Sequence, residues 1–378
     1  MVVRPLALLC LLGLASCQRG PSPIAPVEAT PQARTPDAQS SAPQTRAPQG
    51  SADANAIDRA DRIIVHSGRA ALERKDFEKA RLVFSGLLDR YPGNAELEGL
   101  LAEAEAGARR GPLTFESLKT KRVQPAPFRR RAVSEAPVQQ SPKPPKLVVA
   151  SKVPNAITDD DAWFRDNGLR RPMLELPNER MGTPGEVPTT IPPHIEGLRL
   201  ARAIEDGPHL LASYGEAYSG GRMLLVLDTE GEVLGSFDFG AWAHTPKDRA
   251  SDAEFTDQGV NWAQVRDDVL FVCTGHGTYA KSSGGLTGYL SALDLETGDL
   301  LWRSDPLVCN ARNFLYEDGY LISGYGFTAE PDFMYVIDAK NGKTVQKLRV
   351  KSGPDYVLKK GSQIFVRTYD TNYVFDLR

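Results

Sequence analysis

In the second half of this chain an apolar strand runs into Asp, turns on Gly and returns as a second strand. The pattern reads MLLVLDTEGEVLGSFDF, then YLSALDLETGDLLWRSD, then MYVIDAKNGKTVQKLRV, and NYVFDLR ends the chain on its first half. No other feature constrains the fold as much. Asp bonds the backbone amides of the turn it opens, and Gly supplies the positive φ that closes a hairpin. The Asp residues stand at 228, 294, 338 and 376, in steps of 66, 44 and 38. The last two steps match one four-stranded unit per repeat, which takes about 40–45 residues. The first step carries an insertion, approximately GAWAHTPKDRASDAEFTDQG.

Each motif has two further strands before it. HLLASYG, VLFVCTG, YLISGYG and QIFVRTY precede the Asp strands, and LRLARAI, NWAQVRD, RNFLYED and DYVLKKG lie upstream of those. Short strands at this spacing, punctuated by turns, predict an all-β unit over residues 195–378. The last unit stops after its third strand, so a fourth is expected from before residue 195, with PMLELP (172–177) as the candidate. GYLSALDLETGDLLW, residues 288–302, resembles the PQQ-like β-propeller repeat, in which the closing Trp packs between neighbouring sheets. The stretches around Asp228 and Asp338 match it in part and lack the Trp. The resemblance implies a mainly β fold with a small propeller of about four blades, its closure left open, preceded by an all-α module and disordered linkers. It implies little about function, because propellers host many. Quinone-dependent dehydrogenases that carry this repeat have eight blades, a calcium site and a cofactor-stacking pocket. No acid cluster beside a Gly-rich stacking loop is found here. The expectation is therefore a non-enzyme with no cofactor and no metal.

The N-terminus sets the expected compartment. Residues 6–14 form an apolar run after a single Arg, too short for a membrane span and suited to an export signal. Leu14-Ala15-Ser16-Cys17 resembles the lipobox of bacterial lipoproteins. That resemblance implies cleavage after residue 16 and acylation of Cys17, hence a lipid-anchored protein. Gln18 in place of Asp implies the outer rather than the inner membrane. Two cysteines remain beyond the anchor, Cys273 and Cys309; in an oxidising compartment they are either a disulfide or two separately buried thiols.

Between anchor and repeats the composition alternates. Residues 17–54 are a Pro-rich tether without aromatics, too polar to offset the entropy of ordering. Residues 55–110 show helical periodicity in three segments, punctuated at Lys75-Asp76 and Pro92-Gly93-Asn94. Gly68, Ala80, Phe84 and Pro92 are spaced as in a tetratricopeptide repeat, which this segment resembles; the resemblance implies close helix contact, and the unit is either a peptide- or protein-docking module or a helical spacer. Residues 111–155 are a basic linker. Its stretch LKTKRVQPAPFRRRAVSEAPVQQSPKPPK has eight Lys or Arg and one Glu, a composition expected to stay solvated or to meet an anionic surface. Residues 156–194 are a lead-in, with Thr158 and Asp161 predicting a capped helix at about 159–167.

No catalytic motif stands out. His209, His244 and His276 are scattered, and no HExxH, CxxC or GxSxG occurs. GHGTYAKSSGG, residues 275–285, leads into a strand rather than the helix a phosphate loop needs. His276, Tyr279 and Lys281 on that loop, with Trp242, Trp262 and Tyr325, are the candidate ligand or partner contacts. The net charge of −3 gives no reason to expect nucleic acid. The reading is a membrane-anchored scaffold of the bacterial cell envelope, with an envelope protein as partner. It is distantly similar in layout to the propeller lipoprotein of the outer-membrane β-barrel assembly machinery. The alternatives are a carbohydrate-binding lipoprotein, with the aromatics stacking on sugars, and an enzyme of unknown chemistry.

Overall fold

The computed structural model describes residues 57–378 apart from 74–75, 110–112, 157–158, 178–184, 189, 217–219, 245–254 and 328–329. The signal segment, Cys17 and the tether lie outside the described residues. Three helices come first: α1 (Arg59–Glu73), α2 (Phe77–Leu88) and α3 (Ala95–Arg109). Asp76 caps α2 by accepting the Lys79 amide, and Asn94 accepts the Leu97 amide at 3.1 Å at the start of α3. Their shared core holds Ala71, Ala80, Phe84, Leu87, Leu97 and Ala104. Gly68 lets α1 approach α2, since a Cβ there would stand 2.6 Å from the Phe84 ring. Asp61 joins the first helix to the end of the second, accepting from Arg90 at 2.6 Å and from the Tyr91 hydroxyl at 2.7 Å.

The rest of the chain is mainly β. The basic segment contributes β1 (Lys121–Arg122), β2 (Arg131–Ala132) and β3 (Leu147–Pro154), followed by α4 (Asp160–Asn167). The first sheet then comprises β4 (His194–Ile195), β5 (Leu198–Asp206), β6 (His209–Gly215), β7 (Met223–Asp228) and β8 (Val233–Asp238). The second has β9 (Gly259–Arg266), β10 (Val269–Gly275), β11 (Tyr289–Asp294) and β12 (Leu300–Arg303). The third has β13 (Leu315–Glu317), β14 (Tyr320–Tyr325), β15 (Phe333–Asp338) and β16 (Thr344–Arg349). The fourth has β17 (Pro354–Lys360), β18 (Gln363–Thr368) and β19 (Thr371–Leu377). Within each sheet these strands pair antiparallel with their chain neighbours. Every residue of β10 and of β14 is buried, because the second strand of a sheet is covered on both faces by its neighbours. This explains their unbroken apolar runs.

The repeated turns are built as their residues predict. Asp228 accepts the Glu232 amide at 2.8 Å, Asp294 the Thr297 amide at 2.7 Å and Asp338 the Lys340 amide at 2.8 Å. Trp302 reaches from the second sheet to the third, donating through Nε1 to Ala339 O at 2.8 Å. Its ring lies where a Cβ on Gly342 would stand, 2.4 Å away.

The basic segment is not a free linker. β1 pairs parallel with β8, β2 antiparallel with β12, and β3 antiparallel with β19. Between them the Ala136 amide donates to Lys340 O at 2.8 Å and the Ser141 amide to Asp318 O at 3.0 Å. The segment thus runs along all four sheets in chain order. Its backbone satisfies otherwise open sheet edges, while Val123, Ala136, Val138 and Leu147 bury their side chains at intervals and leave the charges outside. The fourth sheet is completed by β3, not by residues 172–177, which reach the first sheet through a bond from the Leu174 amide to Ala203 O at 2.9 Å and pack Met173 and Leu176 against the sheet cores.

The lead-in helix forms as expected, but its cap is Asp159, which accepts the Asp161 amide; Thr158 lies outside the described residues. α4 and the residues after it touch the fourth and first sheets. Phe164 meets Tyr356 edge-on at 5.0 Å between ring centres, and Arg170 pairs with Glu205 at 2.9 Å.

Candidate functional site

Two places gather polar side chains. The first is the loop 275–285, which carries the short 3-10 helix Ala280–Ser283 between β10 and β11. Here His276 Nε2 lies 2.7 Å from Ser283 Oγ, and both side chains are buried. The Thr278 amide donates to His276 Nδ1 at 3.4 Å, which makes Nδ1 the acceptor and puts the ring proton on Nε2. Nε2 therefore donates to Ser283, and the Ser283 hydroxyl donates onward to Ala280 O at 3.2 Å. A nucleophilic serine needs the opposite arrangement, with Nε2 free to accept and an acid on Nδ1. Burial lowers the His276 pKa, partly opposed by the charge of Glu330. The pair ties the two ends of the loop together.

Glu330 fastens this loop to the third sheet. Its carboxylate accepts the Ala280 amide at 2.6 Å and the Tyr325 hydroxyl at 2.8 Å. Burial, then the bond to Glu330, raises the Tyr325 pKa. Tyr279 packs edge-on against Phe327 at 4.8 Å and stays 43% exposed, and Lys281 is exposed next to it. So the structure brings His276, Tyr279, Lys281 and Tyr325 to one junction.

Trp242 and Trp262 lie elsewhere, and they correct the expectation of an aromatic platform. Both are buried, as is Tyr325, each about 3% exposed. Trp242 donates to Gln124 O at 2.7 Å and packs on Phe239. The apolar space between sheets takes these rings because it offers more burial than a sugar face would. Cys273 and Cys309 are brought into bonding contact, with Cα atoms 6.1 Å apart, in the range a disulfide spans.

The second gathering place was not visible in the sequence. Arg202 of β5 donates to Asn261 O of β9 and, at 3.3 Å, to Arg312 O before β13. The Arg312 amide donates to Asp355 O of β17 at 2.8 Å. Asp160 of α4 accepts from Arg367 Nε at 2.9 Å and from the Tyr356 hydroxyl at 3.1 Å, with Arg312 Nη1 at 3.9 Å. The leading edges of all four sheets therefore converge on one polar cluster. Burial pushes Arg202 down to about 10, with Arg312 adding to the effect, and pushes Asp355 up. Sequence reasoning missed it because Asp160, Arg202, Asn261, Arg312 and Asp355 stand 42 to 59 positions apart with no shared motif. Nor does an Arg within a strand announce burial: Arg303, 1% exposed, lies between the rings of Trp242 and Tyr289 at 4.8 and 3.9 Å. Burial lowers its pKa to about 10.

No protein-family model matches the chain, and no curated protein matches it. Among solved structures, it is similar to BamB from Moraxella catarrhalis at 12% identity and TM-score 0.26, over 45% of this chain and 56% of that one. It is similar to a europium-containing methanol dehydrogenase at 15% identity and TM-score 0.26, over 41% and 27% of the two chains. Sqt1 of Saccharomyces cerevisiae is similar at 9% identity and TM-score 0.31, over 48% and 46%. The chain thus spans little more than half of the first of these structures, and likenesses this distant carry no argument about function.

Proposed function

We propose that this protein is a non-enzymatic scaffold of the bacterial cell envelope. In this reading it is held on the outer membrane by an acylated Cys17 and grips an envelope protein through its helical unit. The observation that carries the reading is the outer surface of that unit. Ile63 on α1 is 73% exposed and Leu82 on α2 is 65% exposed, on helices whose other faces share a packed core. A partner that covers Ile63 and Leu82 removes their apolar surface from water, which favours association. A tetratricopeptide-like docking unit and a propeller-type domain of about four blades fit this role together. Acylation with two or more chains suffices for a stable anchor.

The test is crosslinking in native membranes with the full-length chain, followed by identification of what co-purifies. The unsubstituted protein should capture one or more envelope proteins, and Ile63→Glu with Leu82→Glu should reduce capture at least about ten-fold, the loss expected when about 1.4 kcal/mol of contact is removed. A protein that emerges alone and monomeric overturns the reading.

A further inference from the structure

The outer edges of the third and fourth sheets meet where the Leu147 amide donates to Gln346 Oε1 at 2.9 Å and Gln346 Nε2 donates to Leu147 O at 3.0 Å. β16 and β3 lie side by side there and enclose a cleft of about 640 Å³. Lys152, Arg349 and Lys351 line it, with Val149 and Tyr373. Lys152 Nζ stands 5.6 Å from the Tyr373 ring centre, Lys351 pairs with Asp370 at 3.0 Å, and Arg349 is exposed. Two acids also line the cleft. Glu330 is turned to Ala280 and Tyr325 and Asp332 is 9% exposed, so both acids are less accessible than Lys152 and Arg349, which are exposed.

Residues 113–155 carry nine Lys or Arg against two Glu, spread along the four sheets, and Lys152 is the one of these cations that lines the cleft. Their bonds to the sheet edges hold these charges on an ordered surface. Exposed apolar side chains are interleaved with them: Val149 at 53%, Val153 at 50% and Val345 at 42%. Cations mixed with exposed aliphatic groups suit the boundary of an anionic bilayer, where phosphates meet the first methylenes.

We propose that the cleft between β16 and β3, with the valines at its rim, is a docking surface for the phosphate-bearing headgroups of an anionic lipid bilayer. This goes beyond the scaffold reading and needs no acyl group on Cys17. Lys152 and Arg349 supply the exposed charge, Lys351 stays with Asp370, and the valines enter the headgroup layer.

The test is co-sedimentation of the full-length chain carrying Cys17→Ser with vesicles of phosphatidylcholine alone, or with about a third phosphatidylglycerol. Partition should favour the anionic vesicles and fall as salt rises. Lys152→Gln with Arg349→Gln should reduce the anionic partition about thirty-fold, about five-fold for each charge removed. Val153→Asp is a second, independent variant and should reduce it as well, while Lys79→Gln on α2, an exposed cation outside the cleft, should leave it unchanged. Unaltered melting temperatures keep the comparison among folded proteins. Equal partition to both vesicles, or a double variant that binds as the parent does, overturns the proposal. Full displacement from vesicles by millimolar inorganic phosphate also overturns it, in favour of a free-phosphate site. Binding of polyglutamate without binding of vesicles overturns it in favour of an acidic protein partner.

Discussion

Trp302 shows how one position couples neighbouring sheets. It follows the turn opened by Asp294 and lies under the next turn, at Ala339 and Gly342. Phe237 holds the related place after Asp228, with its ring 3.4 Å from where a Cβ on Gly298 would stand. Gln346 holds it after Asp338 and uses its amide to bind the backbone of Leu147. Trp, Phe and Gln thus perform one task, so the missing tryptophans reflect a change of neighbour rather than loss of the unit. Gly342→Ala should destabilise the protein by about 2 kcal/mol, because φ is 70° and the new methyl meets the indole. A double-mutant cycle with Trp302→Leu should show coupling between the two; additive costs would contradict the contact. Asp332 offers a second residue-level prediction. Burial, reinforced by Asp370 and Glu330, pushes its pKa up to about 6. The folded state is therefore free of the penalty below about pH 4 and loses stability as pH rises through about 6, by about 2–3 kcal/mol for this group. Asp332→Asn should flatten that part of the profile in thermal unfolding measured from pH 4 to 8, and should raise the melting temperature at pH 8.

At the scale of elements, β3 decides how the last sheet ends. A C-terminal strand with an open edge is a liability, and β3 covers it with its backbone while Leu147 joins the core beside Phe375. The same segment supplies the edge partners β1 and β2. Eight of its nine Lys and Arg are potential trypsin sites, Lys143 being followed by Pro144, yet cleavage needs the local backbone to leave the sheet edges. Native trypsin digestion should therefore leave residues 113–155 intact over times in which exposed loops are cut; early cleavage at Arg131 or Lys152 would contradict the pairing. Leu147→Asp should release this protection and cost about 3 kcal/mol or more, because it buries an unpaired charge in the fourth sheet.

At the scale of the whole molecule, Cys273 of the second sheet and Cys309 before the third are joined across 36 residues. A loop of that length places the stabilisation at about 3–4 kcal/mol. Reduction should lower the melting temperature, and thiol titration of the unfolded, unreduced chain should find neither cysteine free. Much of this organisation was legible in advance. The Asp–Gly turns at 228, 294 and 338, the apolar strands before them and the close contact at Gly68 follow from hydrogen bonding and chain geometry within a few residues. Such local chemistry is written directly in the order of amino acids. The role of residues 113–155 was not legible, because proline and like charge resemble a solvated linker unless the unpaired edges that receive its backbone are known. The burial of Trp242, Trp262 and Tyr325, and the convergence of Arg202, Arg312, Asp355 and Asp160, belong to the same class. The sequence by itself determined the repeating β unit and its turns; only the tertiary structure decided how the last sheet is completed and which charges stand together, because both depend on strands far apart in the chain arriving at one place.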